Sequence, residues 1–368
     1  MRVLVASTGG AGHFGPLVPF IEALSRSGDQ VLLVVPPQLE ATVAALGHPF
    51  RLAGEPPPRD LGAIQQRLAT APPRVAATLA NRELFGRLWT AALLPAAERA
   101  CREWQPELVL HEAAEYASAV AAERCGIAHA QIAISLADVE AGSLDLAAPV
   151  LERYGEGFVE RLRAAPYLSR FPASLDPSPF PLTRRYAEAV AEEEESLPDW
   201  WDGSDAPLVY VTFGSVLGEL PDAVAAYRAA LEAVADLRAR VLITTGHAIQ
   251  TEALGAPPPH VHIEPWVPQA EVLREADVVV AHGGSGTTFG ALAAGVPLVL
   301  VPRFADQPVN SSRVAATGAG LVAPPDGGLR AAIETVLTDA SYGQAARRLA
   351  DEMRALPSID TVLATCGC

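Results

Sequence analysis

Two histidines sit in glycine-rich turns, each directly after a short apolar run. His13 lies within GGAGHFGPLVP (9–19), and His282 opens HGGSGTT (282–288). Histidine's ordinary pKa lets it accept a proton at physiological pH, so a loop imidazole after a strand is a candidate general base. The second turn suggests different chemistry. Small residues permit close approach, and hydroxyls with free N–H groups at a helix start make an anion site. Glycines at 283, 284 and 286 exceed what capping a helix requires. A phosphate or diphosphate is the natural occupant, with His282 as an added donor.

The first turn also spells G-x-G-x-x-G at Gly10, Gly12 and Gly15, the pattern of a dinucleotide-binding loop. That reading needs an acidic residue at the end of the second strand to hold the ribose hydroxyls. The second strand ends in Val35-Pro36-Pro37-Gln38, while Asp29 lies at its entrance. No arginine stands at the exit for a 2′-phosphate. An NAD oxidoreductase therefore ranks last.

The elements that would position these turns alternate strand and helix. RVLVAS (2–7), QVLLVVPP (30–37), ELVLHE (107–112) and HAQIAI (129–134) read as buried strands. A second series follows: LVYVTF (208–213), RVLITT (240–245), HVHI (260–263), DVVVAH (277–282) and PLVLVP (297–302). Helical spacing fills the intervals, which implies mostly parallel sheets covered on both faces. The fold class expected is α/β, with two tandem Rossmann-like doubly wound domains. Ligands in such sheets bind at the carboxyl ends of the strands, so the two domains are expected to face one another across a cleft. The divisions read as 1–186, an N-terminal domain; 187–207, a linker with the acidic run Glu192–Glu195 as a solvated face; 208–352, a C-terminal domain; and 353–368, a helix and tail.

Composition narrows the classes further. The net charge of −16 disfavours nucleic-acid binding, which relies on clustered basic residues. All 27 basic residues are arginine; the absent lysine removes a Walker P-loop and Schiff-base chemistry. Cys101 and Cys125 read as core thiols, and the terminal Cys366-Gly367-Cys368 as an exposed, frayed tail. Val3–Ala6 is too short for a signal-peptide core, and no apolar run spans a bilayer, so a cytoplasmic protein is expected.

W-x-P-Q at 266–269, then HGGSGT, then ADQ at 305–307, resembles the nucleotide-sugar signature of GT-B glycosyltransferases, in particular the bacterial natural-product enzymes grouped with UDP-glycosyltransferases. GHFGPLVP resembles that family's N-terminal G-H-x-x-P-x-x-P, and VTFGS (211–215) its diphosphate-contacting turn. The resemblance runs in order from residue 1 to about 325.

It implies a role for each matching residue. Trp266 would stack on the nucleobase, Val267 would contact the base through its backbone, and Gln269 would lie near the base or sugar ring. Gly214, Ser215, His282, Gly284, Ser285, Gly286 and Thr287 would hold the diphosphate. Asp306 and Gln307 would bind donor-sugar hydroxyls, although Asp306 also suits an N-cap. His13 would deprotonate the acceptor with Glu112 as its partner, where the family more often has Asp; Glu115 is the reserve. Many UDP-sugar enzymes carry a ribose-binding Glu eight residues after the motif histidine. This chain has Gly290 there, which fits a deoxyribose nucleotide and a TDP-sugar.

The expected activity is inverting transfer of a sugar, expected to be a deoxysugar, to a hydrophobic natural-product aglycone or glycosylated intermediate. No cofactor or metal is expected, since no D-x-D motif occurs. A homodimer is left open. The competing readings are a GT-B epimerase or hydrolase and a non-catalytic auxiliary protein. Segments 54–100, read as glycine-rich loops, and 135–182 are expected to line the acceptor pocket with Phe85, Trp89, Tyr154 and Tyr167.

Overall fold

The computed structural model describes residues 1–188, 197–214, 222–325 and 327–366. The chain divides into two units, Met1–Ala189 with Leu356–Cys368, and Val190–Ala355.

The first unit holds a seven-stranded sheet of order β3-β2-β1-β4-β5-β6-β7, every pair parallel. Its strands are β1 (Arg2–Ala6), β2 (Gln30–Val35), β3 (Phe50–Leu52), β4 (Leu108–Glu112), β5 (Ala128–Ile132), β6 (Tyr167–Ser169) and β7 (Thr183–Arg185). The near-continuous apolar runs of β1 and β2 are what a sheet buried on both faces demands. Core residues from both faces pack on it, Phe20, Ile21 and Leu24 on one and Trp89, Leu93 and Ala97 on the other.

The second unit repeats the plan with a six-stranded parallel sheet, β10-β9-β8-β11-β12-β13. These are β8 (Leu208–Thr212), β9 (Arg240–Thr244), β10 (Val261–Glu264), β11 (Val278–Ala281), β12 (Leu298–Leu300) and β13 (Gly320–Val322). Each sheet reverses its strand order once, between β1 and β4 and between β8 and β11. Ligands of doubly wound sheets bind at such points.

Several expectations change. Segment 54–100 is not a set of glycine-rich loops: helices cover Pro58–Leu68, Pro73–Thr78, Leu79–Trp89 and Thr90–Trp104, the third a π-helix. Prolines start the first two of these helices, where the missing N–H costs nothing. The short strands β3, β6, β7 and β13 have three residues each, too few to show a period in sequence. The C-terminal segment is not an exposed tail. Ala187 N–H donates to Pro357 O, and the helix Ile359–Leu363 buries Ile359, Val362 and Leu363, with Cys366, in the first unit's core. Cys368 lies outside the described residues, as does the Glu192–Glu195 run. Cys101 is buried as expected, and Cys125 is half-buried.

Candidate active site

The first polar constellation stands at the β1/β4 reversal. β1 leads into Ser7, Thr8 and Gly9, and Gly10 takes φ 105°, a backbone state costly for other residues. A single helical turn, Ala11–Phe14, then carries His13. Gln38, at the exit of β2, lies against Gly9, leaving no room for a Cβ there. An amide therefore stands where a dinucleotide site would present its acid.

β4 ends on Glu112, and pairing of Ala6 with His111 brings the ends of β1 and β4 side by side. Glu112 Oε1 lies 3.0 Å from His13 Nδ1. The same oxygen accepts the Thr8 hydroxyl at 2.6 Å and the Thr8 N–H at 3.2 Å, and Oε2 accepts the Ala114 N–H at 2.6 Å. Thr8 Oγ1 is also 3.0 Å from His13 Nδ1. Burial alone would push the Glu112 carboxyl up; the charge of His13 and the bonds from His13, Thr8 and Ala114 outweigh it and hold the pKa below the ordinary value. A buried carboxylate then fixes the tautomer with hydrogen on Nδ1, which assigns any proton acceptance to Nε2. Phe85 covers the imidazole, ring centroids 5.1 Å apart.

Glu115 does not join this group. Both its oxygens accept the Ser118 N–H at 3.1 Å, at the start of the helix Ala117–Cys125, and burial pushes its pKa up to about 8. Glu112 is the partner because it ends β4 itself, while Glu115 belongs to the following turn. Trp89 and Tyr167 are core residues rather than pocket lining; Phe85 and Tyr154 are half-buried.

The second constellation stands at the β8/β11 reversal. Gly214 follows β8 with φ 73°, and a Cβ on it would lie 2.8 Å from His282 Cε1. On the other side, a Cβ on Gly284 would lie 2.3 Å from His282 Nε2. Two glycines thus hold the imidazole, whose buried Nδ1 has no hydrogen-bond partner among the described residues. Burial lowers the His282 pKa, with Asp306 opposing, so the ring is neutral near pH 7. The helix Ser285–Ala293 starts here, and Gly286 is exposed, with no packing neighbour among the described residues within 4 Å of a Cβ position.

Ser285 Oγ donates to Asp306 Oδ2 at 2.8 Å. Asp306 precedes the helix Gln307–Thr317 but makes no side-chain cap; its Oδ2 accepts instead from Ser285 and from Asn310 Nδ2 at 2.8 Å. Asn310 Nδ2 also reaches Gly283 O at 2.9 Å. Gln307 is buried, its Oε1 accepting the N–H groups of Arg303 and Phe304 at 2.9 and 3.1 Å. Gln269 Nε2 donates to Thr287 Oγ1 at 3.1 Å, and Val267 is half-buried beside it in sequence. Trp266 is 60 % exposed, so it is not a core aromatic. Ser215 lies outside the described residues.

Thr8 and Asn310 were missed in the sequence, and Phe85 was expected only as pocket lining, not against the His13 ring. Asn310 had a signal, since it follows Asp306 by four residues on one helix face. Thr8 had only a hydroxyl beside glycines. Among the described residues, no group of three His, Cys, Asp or Glu side chains converges as a metal site, and no helix is long and apolar enough to cross a membrane.

Two parallel-sheet units, each with its polar loops at the strand-order reversal, define a glycosyltransferase of the GT-B fold. The chain belongs to the antibiotic-pathway glycosyltransferases. Residues 228–367 match the family described as erythromycin biosynthesis protein CIII-like, C-terminal domain. The elloramycin glycosyltransferase ElmGT of Streptomyces olivaceus is 33 % identical, over 97 % of this chain and 94 % of its own. The solved structure of spinosyn rhamnosyltransferase SpnG is similar with a TM-score of 0.82 and 26 % identity, covering 99 % of each chain. Glycosyltransferase VinC, solved in complex with dTDP, is similar at TM-score 0.78 and 25 % identity over 99 % of this chain and 98 % of that one. The chain is therefore a sugar-transferring enzyme.

Proposed function

We propose that this glycosyltransferase moves a deoxysugar from a TDP-sugar to a hydrophobic natural-product hydroxyl, with inversion and without a metal. The observation that carries the reading is His282, held by Gly214 and Gly284 at the start of the Ser285–Ala293 helix, with its buried Nδ1 unpartnered among the described residues. An unsatisfied buried polar atom is costly, and a ligand oxygen would satisfy it.

In the proposed reaction, His13 Nε2 takes the acceptor's proton and the acceptor oxygen bonds to the anomeric carbon. The anomeric C–O bond to phosphate breaks in line, and the nucleoside diphosphate leaves with the electron pair. Buried Glu112 stabilises the imidazolium that forms. Helix N–H groups and His282 stabilise the departing diphosphate. Trp266 is exposed enough to stack on a base, and Asp306 and Gln307 are assigned to the sugar hydroxyls.

The TDP assignment rests on Gly290 and is supported by the similar VinC structure with dTDP. A Cβ at 290 would lie 3.4 Å from Gln269 Oε1. Calorimetric titration with TDP and UDP tests the donor: tighter TDP binding is expected, and clearly tighter UDP binding overturns it. A donor-by-acceptor turnover screen separates transfer from simple donor hydrolysis.

A further inference from the structure

His13 is carried by one turn of helix, and Gly10, Gly12 and Gly15 around it have open space where side chains would be. Glu112 and Thr8 grip one edge of the imidazole at Nδ1. The face is covered by Phe85, at 5.1 Å and a tilt of 31°, within the range of favourable aromatic pairs.

Phe85 belongs to an unusual element. Leu79–Trp89 is a π-helix of 11 residues, far longer than the single-turn bulges in which this conformation ordinarily occurs. It is wedged tightly against the helix Ala137–Leu151. A Cβ on Gly86 would lie 2.9 Å from Val150 Cγ2, 3.1 Å from Ala147 Cβ and 3.0 Å from Asn81 O. Close-packed interiors do not yield to such an added atom without a shift. Thr90 Oγ1 donates to Phe85 O at 2.9 Å, and Asn81 Nδ2 to Ala77 O at 3.0 Å. The wide helix is thus pinned on both sides of Phe85.

We propose that Phe85, held by the π-helix Leu79–Trp89 through Gly86 and Thr90, is a positioning residue that locks the His13 ring with Nδ1 on Glu112 and Nε2 toward the acceptor. This rests on the reading of His13 as the base. Stacking restrains rotation of the imidazole about its Cβ–Cγ bond, which the edge contacts alone restrain less. A base displaced by about 1 Å loses up to a hundredfold in rate while the acceptor still binds.

The test compares wild type with Phe85→Leu, Phe85→Tyr and Thr90→Val. Spectra of 15N-histidine-labelled protein, with His13 assigned by its loss in His13→Gln, report the tautomer without any substrate. Wild type is expected to show one Nδ1–H tautomer. Phe85→Leu should show mixed tautomers, a kcat lower by about tenfold and an acceptor KM within about twofold. Phe85→Tyr should restore both readouts. Thr90→Val, a milder change, should move both in the same direction and serves if Phe85→Leu does not fold. A raised acceptor KM with unchanged kcat and an unchanged His13 signal would make Phe85 a pocket wall only and overturn the proposal. Failure of the base reading is distinguishable: His13→Ala would then retain turnover, while the effect of Phe85 on the His13 tautomer would persist.

Discussion

Glu112 Oε1 lies 3.0 Å from His13 Nδ1, and the carboxylate is wholly buried while the imidazole side chain remains 23 % exposed. The asymmetry separates the roles: one group faces only protein, the other can meet a substrate. His13→Ala is expected to lower turnover by 10²-fold or more while leaving TDP affinity unchanged. Glu112→Gln preserves shape but reverses the hydrogen-bond logic, and should cost about tenfold to a hundredfold in kcat. Steady-state kinetics alongside nucleotide titration checks both; full turnover in His13→Ala removes the base assignment.

Gly286 offers a substitution with no protein cost. Among the described residues no packing neighbour lies within 4 Å of a Cβ there, and alanine favours the helix over glycine by up to about 1 kcal/mol. Gly286→Ala should therefore keep or raise the melting temperature, yet weaken TDP binding about tenfold if the diphosphate approaches that backbone. Unchanged TDP affinity would move the diphosphate elsewhere.

Asn310 ties Gly283 O to Asp306 and so holds the 282–286 turn to the start of the helix Gln307–Thr317. Asn310→Ala leaves a buried carbonyl without its side-chain partner, at a cost of roughly 1–3 kcal/mol. Weaker TDP binding and a lower melting temperature should appear together. Loss of only one of them would argue against the coupling.

Two buried carboxyls set a pH dependence. Burial pushes both Glu115 and Glu140 up to about 8. Each folded group keeps its proton to near pH 8, while the unfolded chain releases it around 4.5, so the folded state binds more protons between those values. Their contribution is full below pH 4.5 and is lost as pH rises through 8. Glu112 has the opposite sign: its contribution is present above 4.5 and is lost as pH falls below that. The melting temperature of the first unit should fall by roughly 5 °C from pH 6 to pH 9. Glu140→Gln, which keeps an acceptor for the Ile134 and Ser135 N–H groups, should flatten that slope. A slope unchanged in Glu140→Gln would count against the assignment.

Gly290→Glu probes donor choice. Glutamate there gains ordinary contact with Gln269 and Leu273 and supplies an acceptor for a 2′-hydroxyl. The ratio of UDP to TDP affinity should rise about tenfold. No change would mean that the nucleotide is read elsewhere.

Much of this was legible in the chain. Both turns after β1 and β11 announced themselves through glycine spacing, and the acidic partner at the end of β4 was implied by the family resemblance. Helices between the strands were equally clear outside 54–100, where proline and glycine masked the helical spacing of Pro58–Leu68. Phe85 was named only as pocket lining, because its place over His13 depends on a π-helix register that a 3.6-residue period does not reveal. Thr8 was hidden because one hydroxyl in a glycine loop carries no pattern. The burial of Ile359, Val362 and Leu363 was missed because five helical residues are too few to show which face they hide.

That last helix has a consequence for synthesis. The first unit joins Met1–Ala189 to Leu356–Cys368, so the second unit, Val190–Ala355, is inserted between its two parts, and the backbone passes between the units at two places. A ribosome finishes the second body before it releases the residues that complete the first. The seven-stranded sheet must therefore wait, with the surface of the helix Val18–Arg26 uncovered, until Ile359–Leu363 emerges. The nascent enzyme is thus expected to close its first body last, and loss of Leu356–Cys368 would leave that body, not its neighbour, unfinished.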